Sequence, residues 1–163
     1  MKLKKSIVTA FILFVVDVFV FNQFTIAGST LFLGTPVLLV KLFRARKDKA
    51  RVRLLMAKAV IYTFMVIFVF AAAVFNNKVA DARAKDIIAA CELFKDKNGH
   101  YPEQLSDLVP EFLAEVPSAK YSLMGSNFRY IVRQDGHALM YETVSPYGRK
   151  YYVLEKKEWR WVD

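Results

Sequence analysis

The sequence is poor in the residues from which compact reactive sites are built. It has one cysteine, Cys91, two histidines, His100 and His137, and six scattered glycines in 163 residues. A single thiol excludes an internal disulfide, and neither histidine has metal-ligand spacing to Cys91 or to the other. The scattered glycines form no phosphate-binding loop. We therefore expect no catalytic site, no metal and no cofactor, with Cys91 as a small buried hydrophobe and both histidines at the surface.

Negative charge is almost absent from the first half of the chain. Residues 1–77 contain 11 Lys and Arg against two acidic residues, Asp17 and Asp48, so they carry the whole net charge of +9. Residues 78–163 contain 13 basic and 13 acidic residues. A nucleic-acid-binding domain needs its basic patch on the folded domain itself. Because the basic excess flanks apolar segments instead, it predicts membrane orientation and no nucleic-acid partner.

Charged residues are rare in three long stretches. Hydrophobic residues make up 55% of the chain, and they concentrate at about 6–21, 24–43 and 58–75. A membrane-spanning helix needs about 20 residues, and the first stretch is short for this. Asn22 and Gln23 predict a polar turn that makes the first two spans a hairpin, because the alternative, one bent helix over residues 6–43, is too long for a single span. Residues 1–77 are therefore predicted to be a membrane anchor.

The basic residues also predict an orientation in the lipid bilayer. Residues 1–5 and 41–58 are both basic, and basic segments stay in the cytoplasm. A hairpin returns the chain to its starting side, so the third span places residues 78–163 outside, in the periplasm of a bacterium. The N-terminal stretch is also similar to a signal peptide, with Thr25-Ile26-Ala27 as a cleavage site. Cleavage there would leave the basic cluster at 41–53 outside, so we expect an uncleaved anchor in the inner membrane.

An amphipathic pattern follows the third span without interruption. Its apolar residues recur in steps of four and three, which places them on one face of a helix. They are Ala80, Ala84, Ile87, Cys91 and Phe94, with Ile88 beside them. Asn98-Gly99 predicts a left-handed cap at the end of this helix, and Pro102 and Pro110 each predict the start of a short helix, through Leu108 and about residue 115. Residues 59–98 are therefore expected to form one uninterrupted helix.

The C-terminal part alternates with a period of two. Phe128, Tyr130 and Val132 share one face of a predicted strand, and Trp159 and Trp161 share one face of another. Strands are predicted at 128–132, 137–143, 149–155 and 158–162, with turns at 134–136 and 145–148. Three or four antiparallel strands in a meander must bury one face, and the preceding helix supplies the cover. The predicted fold class is an α+β membrane protein.

The residues that end the long helix carry a resemblance to a known architecture. Residues 86–117 contain Asn98-Gly99-His100-Tyr101-Pro102 and then Leu105, Leu108, Pro110 and Val116-Pro117. This segment is similar to the Asn-Gly-x-Tyr-Pro and Leu-rich segment that ends the first helix of major pseudopilins. Residues 59–160 thus resemble the ectodomain of type IV pilins and type II secretion pseudopilins. The resemblance implies a pilin-like sheet packed on the helix and a structural cap made by Asn98, Gly99, Tyr101 and Pro102.

The sequence departs from the pilins in features that a fibre subunit needs. The third span begins Lys58-Ala59-Val60-Ile61-Tyr62, without the Gly and the early Glu of a prepilin processing site. Three spans are predicted where a pilin has one, and no late acidic cluster for calcium is visible. Extraction would also drag the basic residues of 41–58 through the bilayer, at about 2.5–3.5 kcal/mol for each Lys or Arg at its centre. With these departures, the chain resembles the small polytopic pilin accessory proteins more than it resembles a fibre subunit.

Six residues are candidate contacts with a partner. They are Asp17, Gly28 and Gly34 in the membrane and Tyr151, Trp159 and Trp161 on the sheet. The carboxylate of Asp17 either reaches water at the outer end of its span, pairs helices, or carries protons. The glycines allow close helix approach, either within the chain or against a pilin helix. The aromatic residues either pack on the long helix or form a recognition surface for a pilin head.

These features predict a non-enzymatic accessory factor or chaperone. It would interact with a type IV pilin or pseudopilin in the inner membrane and modulate pilus assembly or retraction. The alternative is a membrane sensor or transporter subunit with a ligand-binding periplasmic domain, which predicts an ectodomain pocket or a polar path lined by Asp17. An enzyme would instead require Cys91, His100 or His137 exposed beside a cleft.

Overall fold

The computed structural model describes residues 2–21, 24–124, 126–133, 136–143 and 148–162. The described residues do not include the predicted turn at Asn22-Gln23. They also leave out parts of the other two predicted turns, Gln134-Asp135 and residues 145–147. The fold is α+β, as predicted. The chain divides into two compact units, Met1–Val74 and Phe75–Asp163, close to the boundary predicted after residue 77.

The N-terminal unit is helical. It contains α1 (Lys2–Val16), a π-helical turn (Asp17–Phe21), α2 (Thr25–Ala45) and the first part of α3 (Lys49–Asn98). By length and composition, α2 and α3 can each cross a membrane. At 15 residues, α1 is shorter than the roughly 20 residues that a span requires. Two candidate spans are therefore present in the described chain, and the first of the three predicted spans stays a prediction.

The connection between α2 and α3 is shorter than the sequence indicates. Only residues 46–48 separate the two helices, and α3 begins at Lys49 rather than near residue 58. The Asp48 carboxylate accepts a hydrogen bond from the backbone N–H of Arg51 at 3.0 Å, which satisfies one of the free donors at the helix start. Lys and Arg are good helix formers, so most of the basic segment is helical.

The C-terminal unit begins with the second part of α3, which has the predicted apolar face. Its residues 80, 84, 87, 90 and 91 are all buried, and Phe94 and Ile88 pack against them. The predicted helix over 59–98 is thus confirmed within α3. Three of the buried positions are Ala80, Ala84 and Ala90, and these small side chains let the covering layer approach the helix closely.

The covering layer is an antiparallel sheet of four strands in the order β1-β2-β3-β4. The strands are β1 (Arg129–Arg133), β2 (Gly136–Glu142), β3 (Arg149–Val153) and β4 (Glu158–Val162). The register pairs Tyr130 with Leu139, Leu139 with Tyr152, and Tyr152 with Trp159. Side chains on one face of each strand therefore line up across the sheet, and this row packs on α3. The predicted meander is confirmed with four strands.

One hydrophobic core lies between α3 and the sheet. It joins Ile87 and Cys91 of α3 to Leu139 and Tyr141 of β2 and to Leu154 just after β3. All five are essentially inaccessible to solvent. Burial of this apolar surface is the main favourable contribution to the stability of the unit, because the lone cysteine forms no disulfide.

Of the two short helices predicted at Pro102 and Pro110, the first is confirmed in part and the second is wrong. The first is a single 3₁₀ turn, Leu105–Leu108, and residues 109–115 form turns instead of a helix. The carbonyl of Leu108 accepts hydrogen bonds from the N–H groups of both Phe112 and Leu113, at 2.8 and 3.0 Å. This turn brings both side chains against the core, so tertiary packing outweighs local helix preference here.

Candidate functional site

Asp17 is an internal helix-pairing residue. Its carboxylate is fully buried and accepts hydrogen bonds from the backbone N–H groups of Thr25 at 3.1 Å and Ala27 at 2.7 Å. These are the free donors at the start of α2, where the helix dipole also favours a negative charge. The interpretation that Asp17 reaches water is therefore wrong, and its carboxylate joins the end of α1 to the start of α2.

Gly28 lies against the ring of Phe24. Phe24, just before α2, has a positive φ of 58°, which L-residues seldom adopt. A Cβ at Gly28 would lie 3.4 Å from the Phe24 ring, and that ring meets Phe70 of α3 edge to face, with centroids 6.1 Å apart. Gly28 thus makes room for an aromatic contact inside the chain.

Gly34 lies on an open groove between α2 and α3. The groove has a volume of about 390 Å³, and a Cβ at Gly34 would meet nothing nearer than a Thr30 methyl at 3.9 Å. Other small residues, Thr63 and Ala59, line the facing wall, and Lys41 and Lys58 also border the groove. Close-packed membrane helices use small residues of this kind at their contacts. Of the three membrane candidates, Gly34 is therefore the one with free space beside it.

Two hydroxyl groups of α2 near this groove are hydrogen-bonded within the helix. Ser29 donates to the carbonyl of Thr25 at 2.8 Å, and Thr35 donates to the carbonyl of Leu31 at 2.6 Å. Such bonds hide polar atoms from an apolar medium. They leave Gly34 and its neighbours with an apolar, close-packing surface.

The predicted cap at the end of α3 is present, and the structure shows what it holds. Gly99 has φ 82°, and its N–H donates to the carbonyl of Lys95 at 2.7 Å, as in an αL cap. The side-chain amide of Asn98 donates to the Phe94 carbonyl at 2.9 Å. Pro102 is fully buried, so the chain turns back onto the core immediately after the cap.

Tyr101 fastens this cap to the sheet. Its ring is buried, and its hydroxyl oxygen lies 2.9 Å from Glu92 of α3 and 3.2 Å from the Leu154 carbonyl, two acceptors that share its one proton. Burial and the nearby Glu92 carboxylate raise the pKa of Tyr101. The hydroxyl therefore remains a hydrogen-bond donor at all physiological pH values, which indicates a structural role.

The three sheet aromatics do not form one surface. Tyr152 pairs with Trp159, and Lys150 pairs with Trp161, so both tryptophans lie on the face that packs on α3. Tyr151 alternates with these residues and lies on the opposite face. Trp159 packs on the core, whereas Trp161 is 60% exposed. Trp161 is therefore the most exposed of the three, and Tyr151 lies on the other face of the sheet.

A charged cluster supports Trp161. The Lys150 ammonium lies 2.6 Å from Asp81 Oδ1, 4.4 Å from the centre of the Trp159 ring and 5.7 Å from that of Trp161. Tyr141 also donates to Asp81. Burial raises the pKa of Asp81, but the hydrogen bonds and the Lys150 charge outweigh it and lower the pKa overall. Asp81 is thus ionised at neutral pH and fixes Lys150 beneath the tryptophans.

His137 is half-buried rather than a simple surface residue. Its Nδ1 lies 2.6 Å from Glu155, whose carboxylate also accepts the His137 backbone N–H at 2.9 and 3.0 Å. Gly136 precedes it, and a Cβ there would collide with the Glu155 carboxylate. The ring also lies between Tyr101 and Tyr130, at centroid distances of 5.4 and 6.0 Å. Sequence reasoning missed this pair because Glu155 is far away along the chain.

Cys91 lacks the properties of a nucleophile. It is fully buried, and burial, together with the neighbouring Glu92 charge, raises its pKa to about 12. A thiol in this state is inert. His100 is exposed, and its Nδ1 lies 2.9 Å from the Tyr101 carbonyl. Among the described residues, no cluster of three or more His, Cys, Asp or Glu side chains is placed to hold a metal ion.

Comparisons with known proteins add no relative from which a function could be transferred. No family model matches this chain, and comparison with curated proteins and with solved structures gives no significant match. The function must therefore be argued from the chain's own residues.

Proposed function

We propose that the chain is a three-span inner-membrane protein whose periplasmic, pilin-like unit serves as a non-enzymatic accessory factor for a type IV pilin or pseudopilin. One observation carries this proposal. A single 50-residue helix, α3, combines an apolar first half with an amphipathic second half that packs on a four-stranded meander. This is the arrangement that the resemblance to the pilins implies.

The exposed apolar side chains of the N-terminal unit support the membrane part of the proposal. Phe11, Phe32, Leu33, Phe43 and Phe68 are between 60 and 81% exposed. An apolar surface of this kind requires lipid or a protein partner. By the positive-inside rule, the basic segments at the N-terminus and at 41–58 would both lie on the cytoplasmic side. The sheet would then lie in the periplasm.

The groove beside Gly34 is the proposed contact for the membrane helix of the pilin. A pilin helix offers an apolar surface within the bilayer, and the groove offers small side chains against which such a helix can pack. Asp17 takes no part in this contact, because its carboxylate is already bonded to α2. For the same reason, the polar path that a transporter subunit would require does not start at Asp17.

Site-specific photocrosslinking tests this proposal in cells. A photoreactive residue at Leu31, which lines the groove, is expected to capture the pilin. The neighbouring Phe32 is 81% exposed but does not line the groove, so it is the matched control and is expected to capture lipid or nothing. Deleting the gene is expected to change surface piliation and twitching motility. Unchanged piliation and motility, with no pilin adduct from Leu31, would reject the accessory role.

A further inference from the structure

A short segment before the sheet exposes apolar side chains that the fold does not use. Within residues 118–124, Leu123 is 80% exposed, Met124 is 55% exposed and Tyr121 is 54% exposed. We call residues 118–124 the Leu123 loop. On a protein surface that faces water, adjacent large apolar residues of this kind mark an interaction site.

The Leu123 loop is held in place by α3. The backbone N–H of Tyr121 donates to the side chain of Asn76 at 3.4 Å. Arg83 donates to the carbonyl of Ser118 at 2.8 Å, and its guanidinium lies 4.5 Å from the centre of the Tyr121 ring. The loop is therefore positioned by named contacts, at the level of Asn76.

That level is where α3 changes character. The apolar run of α3 ends at Phe75, and Asn76 and Asn77 are the first polar residues after it. A helix that crosses a bilayer leaves the hydrocarbon where such a run ends. If α3 crosses the membrane as proposed above, on which this inference rests, Asn76 lies at the lipid–water interface and the Leu123 loop lies there with it.

Part of the loop's backbone is already hydrogen-bonded, as a position near lipid requires. Lipid tolerates backbone polar groups only when they are hydrogen-bonded. The N–H of Ala119 donates to the carbonyl of Ser126, and the Ser122 hydroxyl donates to the carbonyl of Met124 at 3.0 Å. With Tyr121 and Ser118 already bonded to α3, the loop can approach the headgroups while its apolar side chains project outward.

Aromatic and basic residues near the Leu123 loop are also suited to contact with a lipid surface. Trp161 is held by Lys150, which pairs with Asp81, only five residues after Asn76 along α3. Trp and Tyr are enriched at membrane interfaces, where their rings have one apolar and one polar end. Lys78 is exposed nearby along the helix and supplies a positive charge for anionic headgroups.

We infer that the Leu123 loop inserts its apolar side chains into the outer leaflet of the bilayer, so that the C-terminal unit rests on the lipid surface. This function goes beyond contact with a pilin, because it needs lipid alone. It assigns Leu123 and Met124 to the membrane and Tyr121 and Trp161 to the headgroup region.

The test uses the full chain in vesicles of phosphatidylethanolamine and phosphatidylglycerol. A single cysteine is introduced by Leu123→Cys and labelled with an environment-sensitive fluorophore, while the native Cys91 is buried and stays unlabelled. Leu93→Cys is the matched control, because Leu93 is another leucine of this unit that is 58% exposed, 17 residues beyond Asn76 on α3. Phe68→Cys reports whether α3 itself is in lipid.

Lipids carrying a quencher on the acyl chain are expected to quench the label at 123 several-fold more strongly than the label at 93. The label at 68 is expected to be quenched most. As a second measurement without labels, brominated lipids are expected to quench the native tryptophan fluorescence, and Trp161→Phe is expected to remove most of that quenching.

Two results would overturn the inference without affecting the proposed function. One is equal, weak quenching at 123 and 93 while the label at 68 is strongly quenched. The other is protection of the label at 123 only after a pilin is added to the vesicles, which would make the loop a protein-binding surface. Weak quenching at 68 would instead reject the membrane span, and with it both proposals.

Discussion

The two units use the same residue types in opposite ways. In the N-terminal unit, large apolar side chains such as Phe32 and Leu33 point outward, and the buried set is small. In the C-terminal unit, large apolar residues such as Ile87, Leu108 and Leu139 are fully buried between α3 and the sheet. The helix α3 contributes to both units, so the difference lies in what surrounds it. Apolar composition alone therefore does not indicate a hydrophobic core. An apolar helix face becomes part of a core only where another layer covers it.

The largest expected effect contrasts two isoleucines of α3. Ile87→Ala is expected to destabilise the C-terminal unit by about 2–5 kcal/mol, because Ile87 is fully buried and its loss leaves a cavity. Ile67→Ala is the matched control, because Ile67 is 54% exposed, and a change within about 0.5 kcal/mol is expected. Denaturant unfolding in detergent, followed by tryptophan fluorescence, measures both, since the chain's two tryptophans are in β4. Equal destabilisation by the two substitutions would contradict this prediction.

The next prediction concerns a charge buried in the C-terminal unit. Lys120 is only 3% exposed, and burial lowers its pKa to about 8 from 10.5, against an opposing influence of Glu142. Folding therefore disfavours the charged form. Lys120→Met is expected to stabilise the unit by about 3 kcal/mol at pH 7, since each pKa unit corresponds to about 1.4 kcal/mol.

The sign of its pH dependence follows from linkage. Below pH 8 the ammonium is charged in both states, and the unfavourable burial is fully present. Between pH 8 and 10.5 the folded state releases its proton first, so the wild-type chain gains stability as pH rises and the advantage of Lys120→Met fades. Unfolding curves across this range measure the effect. The exposed Lys156→Met is the control, and an advantage of Lys120→Met that does not change with pH would contradict the assignment.

Asp17 supplies a smaller effect in the N-terminal unit. Asp17→Ala removes both acceptors at the start of α2, and loss of such a cap costs about 0.5–2 kcal/mol. Hydrogen exchange in a peptide covering residues 24–28 is expected to speed up correspondingly. Asp48→Ala, which removes the cap of α3, should accelerate exchange near Arg51 and leave residues 24–28 unchanged. No change at 24–28 in Asp17→Ala would mean that the carboxylate has another role.

The smallest expected effect separates two tyrosines of the sheet unit. Tyr101→Phe removes the hydroxyl whose proton Glu92 and the Leu154 carbonyl share, and a loss of about 1 kcal/mol is expected. The Tyr130 hydroxyl is buried without a partner in the part of the chain that the structure describes, so Tyr130→Phe is expected to be neutral or stabilising. Unfolding curves of the two variants give the comparison, and the reverse order would contradict it.

The sequence predicted the elements whose periodicity is strong. The buried face of α3, the cap at Gly99 and the strands on either side of Gly136 follow from local patterns of period 3.6 and 2. The bounds of α3 were missed because the Asp48 cap extends the helix into a basic segment. The helix predicted after Pro102 is reduced to one 3₁₀ turn, and the helix predicted at Pro110 failed because Phe112 and Leu113 pack on the core instead.

The site residues were harder to place, because their roles depend on contacts between distant segments. Asp17 was a candidate for a partner, and its carboxylate bonds to the start of α2; Gly28 was another, and it lies against the Phe24 ring. Tyr151 was grouped with Trp159 and Trp161, but the register of β3 and β4 places it on the other face. The Leu123 loop could not be recognised from its pattern, because Ala119, Tyr121 and Leu123 alternate with polar residues as in a strand, yet the segment forms no strand.

The strand order has a consequence for self-association. In a meander, the first and last strands leave one side of their backbone unpaired, and such borders can recruit another copy of the same sheet. Here both borders are only five residues long, with Arg129 and Arg133 on one and Arg160 on the other. Short borders with charged side chains discourage lateral growth of the sheet into a polymer. A unit with such strand borders is therefore protected against polymerising through its own sheet.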